Sequence, residues 1–555
     1  MIRRAHLYGL LSAAAASALL SWHLDRPALW LDESASVVAT QRTWPDLFSL
    51  LNGADAPLVP YYAALKLVTS LTADLSPGVT AHPELLYRLP SLGAAVLAVW
   101  ALAVWLGRQT SILLTAASVA ALLSTGGFSR YGQEARPYAV VMLMAVLATV
   151  AWDRAVTDRR RWVPVYALAV ALLVATHLLA GSLVVAHLAA AALAPTEADP
   201  TEADPTGADP AGLGRRAALV RTAAGAGLGL ALVAPFAVSA SGHGVGPTKA
   251  APATWDHLST TFVGAFTDPY GPDKALAIGL TLLLAVVGLA QGWRPGYRRI
   301  TAIAFTWAVV PILVLLPVMF ARPNLIMPRY LVFVLPGWAM LTGLGVALVA
   351  WLVQLLAQEL RRRLGTLVPR ARPATSPVAA VSLGGLTAVL VLAGLGAAQL
   401  DTLRDLRAPS GHSEDIRASM AAANRPEYAH LPIVISSLYS SLEVAAYHHG
   451  AEQRIVGQRV PRDGSSIWPV ADAAADQKID AHPRVVLLLR APSPARCQAR
   501  FPGQTEQYVR HCLPKPLHAM GYRVETVKDG GFRWTFAVLS RPAGPSGRTA
   551  PAAAR

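Results

Sequence analysis

Long apolar runs recur through the first 400 residues of this chain, and a run of about 20 such residues is what an α-helix needs to cross a bilayer. Candidate crossings are Leu7 to Trp22, Leu89 to Leu106, Ser111 to Phe128, Tyr138 to Trp152, Trp162 to His177, Ala180 to Leu193, Thr222 to Ala240, Ala275 to Leu289, Ile300 to Phe320, Tyr330 to Leu355 and Pro377 to Leu400. They make about eleven transmembrane helices. A helix satisfies its own backbone hydrogen bonds where water is absent, so the pattern predicts a polytopic α-helical membrane protein. Composition agrees: 54% of the 555 residues are hydrophobic and 15% are charged, against about 25% charged in soluble domains.

The net charge of +15 sits in short clusters between the apolar runs, a distribution that sets topology and argues against nucleic acid as a partner. With the N-terminus in the cytoplasm, Arg3 and Arg4, Arg108, Arg154 with Arg159 to Arg161, Arg215 and Arg216, Arg294 with Arg298 and Arg299, and Arg361 to Arg363 with Arg370 and Arg372 all fall inside. The first apolar run lacks a clear cleavage site and reads as a retained helix. Two segments test the count. Pro57 to Leu71 reads as an interfacial helix with Lys66 snorkelling, and Pro164 to Ala194 as two short crossings, because the other choices would put basic clusters outside.

Residues 195–216, opening with the acidic repeat PTEADPTEADPTGADP, read as a disordered cytoplasmic linker. Beyond residues 1–400 the composition turns soluble. Strand-like PIVIS (Pro432 to Ser436), VVLLL (Val485 to Leu489) and TFAVL (Thr535 to Leu539) alternate with helix-like Ser413 to Ala423 and Ser441 to His448. Residues 401–555 are therefore expected to form a small extracytoplasmic α/β domain. Its Cys497 and Cys512 fit either a structural disulfide or two free thiols.

This topology places a long first outer loop at residues 23–88. It carries Asp32 and Glu33 in ALWLDESASV, and Asp55 in NGADAPLVPYY ahead of Tyr61 and Tyr62. Alone, Asp32 is an ordinary helix N-cap. On the same side lie Arg130 to Tyr138, RYGQEARPY, with Arg130, Glu134 and Arg136; His177 at the end of the fifth span; and RPNLIMPRY with Arg322 and Arg329. Arginines are usually scarce there. Four of them among several carboxylates suit a lipid phosphate held beside a general base, while Tyr131, Gln133 and Tyr138 read as packing. That layout serves transfer of a sugar from a lipid phosphate to an alcohol, the phosphate leaving once arginine neutralises it.

WLDES at Trp30 to Ser34, DAPLVPYYAALK at Asp55 to Lys66, YRLPS at Tyr87 to Ser91, RYGQEARPYA at Arg130 to Ala139 and PRYLVFVLPG at Pro328 to Gly337 together resemble the GT-C membrane glycosyltransferases. The resemblance is to the protein O-mannosyltransferase and lipid A aminoarabinose transferase group, especially actinobacterial mannosyltransferase-like members. It implies a polyprenyl-phosphate sugar donor, inverting transfer outside the cytoplasmic membrane, and an essential acid in the first loop. By position that acid is Asp32, with Asp55 second and Glu33 orienting the acceptor or pairing with arginine. Arg329 and Arg136, then Arg130 and Arg322, are expected to hold the donor phosphate, with Glu134, Tyr61, Tyr62 and His177 in support. Many relatives carry His-Pro-Pro or His-Gly before the paired tyrosines; Ala56, Pro57 and Leu58 stand here, which weakens any metal assignment, and a divalent metal is the one cofactor left open.

The expected function is transfer of mannose or a similar sugar to a hydroxyl of an envelope glycan, glycolipid or protein, by a multi-pass protein surrounded by membrane lipids. The competing reading is a polyprenyl-lipid flippase or transporter, which would place ionisable residues in mid-span and break its helices. No such residue stands out in these spans.

Overall fold

The structure, a computed structural model, describes residues 2–73, 82–157, 160–194, 210–242, 254–266, 275–322, 325–367, 377–412, 414–447, 451–459, 464–490, 515–529 and 533–541. Most of the acidic repeat (195–209), Cys497 and Cys512 lie outside them. Pro210 to Arg216, assigned to the linker by composition, opens the helix Pro210–Gly242. The chain divides into two compact units: Met1–Leu24, Ala56–Val68 and Tyr87–Leu406 form the first, and Asp25–Asp55, Thr69–Leu86 and Arg407–Arg555 the second.

The first unit is a helical bundle. Among the described residues, seven helices are long and apolar enough to cross a membrane: Pro83–Gln109, Tyr138–Thr157, Gly214–Gly242, Ala275–Trp293, Pro295–Ala321, Pro328–Arg363 and Leu383–Asp405. Ile112–Leu123 and Gly126–Gln133 make an eighth if taken together, bent by 66°, and Leu178–Leu193 is a shorter apolar helix. Leu7 to Trp22 and Trp162 to His177 also fall on helices, Ile2–Ser21 and Val163–Thr176. This is a multi-pass membrane protein.

Helices in lipid gain little from burying apolar surface, so close packing of small residues holds them together. Glycines do this where the helix Ala275–Leu289 meets the helix Leu335–Leu367. A Cβ on Gly345 would lie 1.9 Å from the Leu284 carbonyl oxygen, and one on Gly288 2.1 Å from that of Leu341. On the same long helix, a Cβ on Gly343 would lie 2.3 Å from Ser118 Oγ.

Contrary to the expectation that no ionisable residue lies in mid-span, His187 sits inside the helix Leu183–Leu193 and is buried. Both ring nitrogens are engaged: Nε2 lies 3.1 Å from Thr149 Oγ1 and Nδ1 3.0 Å from Tyr166 Oη. Trp152 stacks on the ring at 5.1 Å and 4°. An apolar run hides such a histidine, because its partners come from other helices. Asp153 is likewise buried, accepting from Trp105 Nε1 at 2.9 Å and Gln109 Nε2 at 3.3 Å and pairing with Arg299.

The second unit contains a four-stranded sheet in the order β1-β4-β6-β5. Here β1 is Ile433–Ile435, β4 Arg484–Arg490, β5 Arg523–Asp529 and β6 Trp534–Ser540. β1 runs parallel to β4, the other pairs antiparallel. Ile433, Val486, Leu488, Phe536 and Val538 bury one face with Ile416 and Met420; Val434, Val485, Leu487, Ala537 and Leu539 bury the other with Ile479 and Tyr522. Burial on both faces explains why VVLLL and TFAVL read as unbroken apolar runs. β5, RVETVKD, escapes sequence reading because an edge strand is commonly charged. The short ladder of β2 (Gln458–Arg459) and β3 (Val470–Ala471) has no sequence signal either.

Gly345→Ala is expected to destabilise the bundle by about 1–3 kcal/mol through overpacking. Gly279→Ala, whose Cβ would meet nothing within 4 Å, leaves it unchanged. Thermal unfolding of the two variants in one detergent checks this.

Candidate functional site

RYGQEARPY is not a solvated loop: Arg130 to Gln133 complete the helix Gly126–Gln133, and Arg130 to Tyr138 are buried throughout. Thr125 starts that helix, its hydroxyl accepting from the Phe128 N–H at 3.4 Å. Gly127 lets it pass close to the Ala265 carbonyl, which a Cβ there would approach to 1.9 Å. These two residues set the bend that turns the charged motif inward.

Arg130 Nε lies 2.8 Å from Glu134 Oε1, with both side chains almost wholly buried. Arg136 donates to Tyr62 Oη at 3.4 Å, and its carbonyl accepts from Ser91 Oγ at 3.3 Å. Tyr131 and Tyr138 meet edge to face at 5.4 Å, Tyr138 contacts Tyr330 at 6.2 Å, and His177 lies against Tyr330 at 5.0 Å. Arg329 rests 5.6 Å from the Tyr330 ring and, with Arg130 and Glu134, acts electrostatically on Tyr131. The bundle thus gathers Arg130, Arg136, Arg329, Glu134, Tyr62 and His177, with Tyr61 against Tyr62 at 6.2 Å. Arginine side chains grouped in this way suit an anion such as a phosphate.

Arg322 stands apart. It is exposed, ends the helix Arg298–Ala321, and has no hydrogen bond, ion pair or ring contact with that set. Arg88 and Gln133, not singled out for chemistry in the sequence, close the end of the first helix. Gln133 donates to the Leu20 carbonyl at 2.7 Å, satisfying an acceptor that the helix terminus leaves open, and Arg88 to the Leu24 carbonyl at 2.8 Å in the turn that follows.

The three candidate site carboxylates of the first loop, Asp32, Glu33 and Asp55, belong to the second unit. Trp30, not Asp32, is the N-cap of the helix Leu31–Gln41. Asp32 lies in its first turn, half-buried, where the helix dipole favours a negative charge. Glu33 is fully buried, accepts from the Trp30 N–H at 3.4 Å, and holds His412 Nδ1 at 3.1 Å from Oε2. His412 has no local sequence signal, because 379 residues separate it from Glu33. Asp55 is buried beside Gly53, whose Cβ would fall 1.9 Å from the Ser465 carbonyl oxygen.

C-terminal residues strap this segment further. The Ala28 N–H donates to the Pro409 carbonyl at 3.1 Å and the Leu29 N–H to Tyr447 Oη at 2.6 Å; that hydroxyl donates to Glu84 Oε1 at 2.8 Å. Arg417 pairs with Asp415 and Glu84 and donates to the Arg26 carbonyl at 2.8 Å. The helix Ser441–Tyr447 packs on the helix of Asp32 and carries Glu443. Burial pushes the Glu443 carboxyl up to about 8, against a smaller opposite pull from Ser440. Among the described residues, no three His, Cys, Asp or Glu side chains are grouped to share a metal ion.

No protein-family model and no curated protein sequence matches this chain. Among solved structures it is similar to ArnT from Cupriavidus metallidurans in the apo state, at 16% identity and a TM-score of 0.53, over 95% of this chain and 97% of that one. The same protein bound to undecaprenyl phosphate matches at 15% identity and a TM-score of 0.48, over 97% and 99%. AglB from Archaeoglobus fulgidus, in complex with an inhibitory peptide and a dolichol-phosphate, matches at 12% and 0.43, over 87% and 69%. The fold is the GT-C membrane fold, and apo ArnT shares it along nearly the full length of both chains.

Two outcomes follow for the second unit. His412→Ala leaves the Glu33 carboxylate buried without its imidazole and is expected to cost about 3–5 kcal/mol, seen as a lowered midpoint of thermal unfolding. Glu443 has a folded-state pKa above its unfolded value, so it binds more protons when folded. Its contribution is greatest below the unfolded pKa and declines as pH rises toward about 8. Glu443→Gln is expected to raise the unfolding temperature more at pH 8 than at pH 5.

Proposed function

We propose that this protein is a polyprenyl-phosphate-dependent glycosyltransferase that works at the outer face of the cytoplasmic membrane. The observation that carries the reading is the gathering of Arg130, Arg136 and Arg329 with Glu134 and the tyrosines, set in a fold shared with an aminoarabinose transferase. Arg136 and Arg329, followed by Arg130, are assigned to the donor phosphate, with Glu134 holding Arg130 in place. Arg322, exposed at a helix end, is the weakest of the four assignments.

Asp32 is assigned as general base. Glu33 beside it is spent on Trp30 and His412, while Asp32 is half-exposed and able to meet an acceptor hydroxyl. Asp55, more deeply buried, is the second choice. In the reaction the acceptor oxygen attacks the anomeric carbon as its proton passes to the carboxylate, and the bond to the phosphate oxygen breaks. The polyprenyl phosphate departs with its charge matched by arginine, and attack opposite the leaving group inverts the centre. The sugar is mannose or a related pentose or hexose, and the acceptor an envelope glycan, glycolipid or protein. In this reading the N-terminus is cytoplasmic and residues 401–555 lie outside.

The bent pair Ile112–Leu123 and Gly126–Gln133 and the buried His187 are features that a lipid transporter would share. His187 is closed on both ring nitrogens and offers no ion path. Sugar transfer by purified protein, with polyprenyl-phosphate-mannose and an envelope-lipid acceptor fraction, separates the readings. Wild type is expected to transfer, and Asp32→Asn to lose at least about 100-fold while folding normally. Transfer unchanged in Asp32→Asn moves the base to Asp55; binding of the carrier without any transfer favours the transporter.

A further inference from the structure

At one end of the bundle a groove of about 330 Å³ runs along the helix Arg298–Ala321. Its floor is Arg298, Thr301, Ala302 and Phe305, spaced at i, i+3, i+4 and i+7 and so forming one stripe. Leu193 and Leu289, each ending a neighbouring helix, and Gly292 in the turn that follows form its walls. We propose that this groove binds an anionic phospholipid, the headgroup phosphate at Arg298 and Thr301 and an acyl chain over Ala302 and Phe305.

Charge gives the first argument. Arg299 is neutralised by Asp153, but Arg298 meets no carboxylate among the described residues. It begins a helix whose terminal N–H groups add positive potential. Nearby Arg294 lies against the rings of Trp351 at 4.2 Å and Tyr297 at 5.1 Å.

The second argument is a hydroxyl. Thr301 is 5% exposed and its Oγ1 has no hydrogen-bond partner, whereas Thr306 bonds back to the Ala302 carbonyl at 2.9 Å. A buried donor left open is costly, and a phosphate oxygen would accept from it. The third is polarity along the groove: the polar groups cluster at its Arg298 end and Phe305 lies two turns deeper, the order in which a phospholipid presents headgroup and chain. The volume lies at the lower end of the range for ligand sites. This site is separate from the donor assignments, since none of the residues lining the groove is among those assigned to the donor phosphate.

The test is add-back of phosphatidylglycerol or phosphatidylcholine to delipidated full-length protein, with bound lipid counted by native mass spectrometry. Wild type is expected to prefer phosphatidylglycerol by roughly tenfold, the worth of a charge-assisted contact. Arg298→Gln should abolish the preference. Gly292→Leu should abolish it by filling the groove, because a Cβ there already meets Thr301 Cγ2 at 3.4 Å. Arg361→Gln, an exposed basic residue on another helix, should keep it. Equal binding of the two lipids by wild type, or an undiminished preference in both groove variants, overturns the proposal. So does displacement of phosphatidylglycerol by equimolar inorganic phosphate, which would mark a free-anion site. Binding is read without any transfer reaction, so failure of the glycosyltransferase reading leaves this result intact.

Discussion

A charge enclosed in an apolar bundle has to be answered by another group of the protein, since neither lipid nor water is there to do it. Arg130 with Glu134 and Asp153 with Arg299, Trp105 and Gln109 both obey this, and the Asp153 set ties together parts of the chain that the apolar pattern leaves unrelated. Arg88 and Gln133 extend it to backbone: their side chains take up carbonyls at the end of the first helix and in the turn that follows, so YRLPS and RYGQEARPY are held to one point. The motif residues therefore hold the structure together.

The same demand shapes the second unit by different means. Glu33 is fully buried against His412, whereas its neighbour Asp32 is half-buried. Glu443 is buried with less compensation, and burial shifts it toward the neutral form instead. The helix Leu31–Gln41 is thus packed among C-terminal residues, in a segment strapped by Tyr447, Pro409 and Arg417. Residues far apart in the chain build one body, and Asp32 depends on it for its position.

Much of the architecture was legible because its causes are local. Apolar length marks a crossing, so helices fall on the expected segments from Leu89 to Leu106 through Pro377 to Leu400. Unbroken apolar runs mark strands covered on both faces, so β1, β4 and β6 were recognisable, whereas charged β5 was not. The membership of the arginine cluster was partly legible: Arg130, Arg136 and Arg329 gather with Glu134, His177 and the tyrosines, while Arg322 does not. His412 and His187 gave no signal at all, since a lone histidine acquires meaning only from partners brought by other helices.

By itself, then, the sequence determined a membrane-embedded helical bundle, a soluble C-terminal sheet, and a set of charges at span ends, because hydrophobic length and periodicity act over neighbouring residues. Only the tertiary structure decided which of those charges are consumed in holding the protein together and which remain available. It buried Glu33 against His412 and left Asp32 half-exposed; it paired Arg299 with Asp153 and left Arg298 beside a groove. The physical reason is that a charge's role depends on its desolvation and its partners, and both are set by distant segments meeting in space.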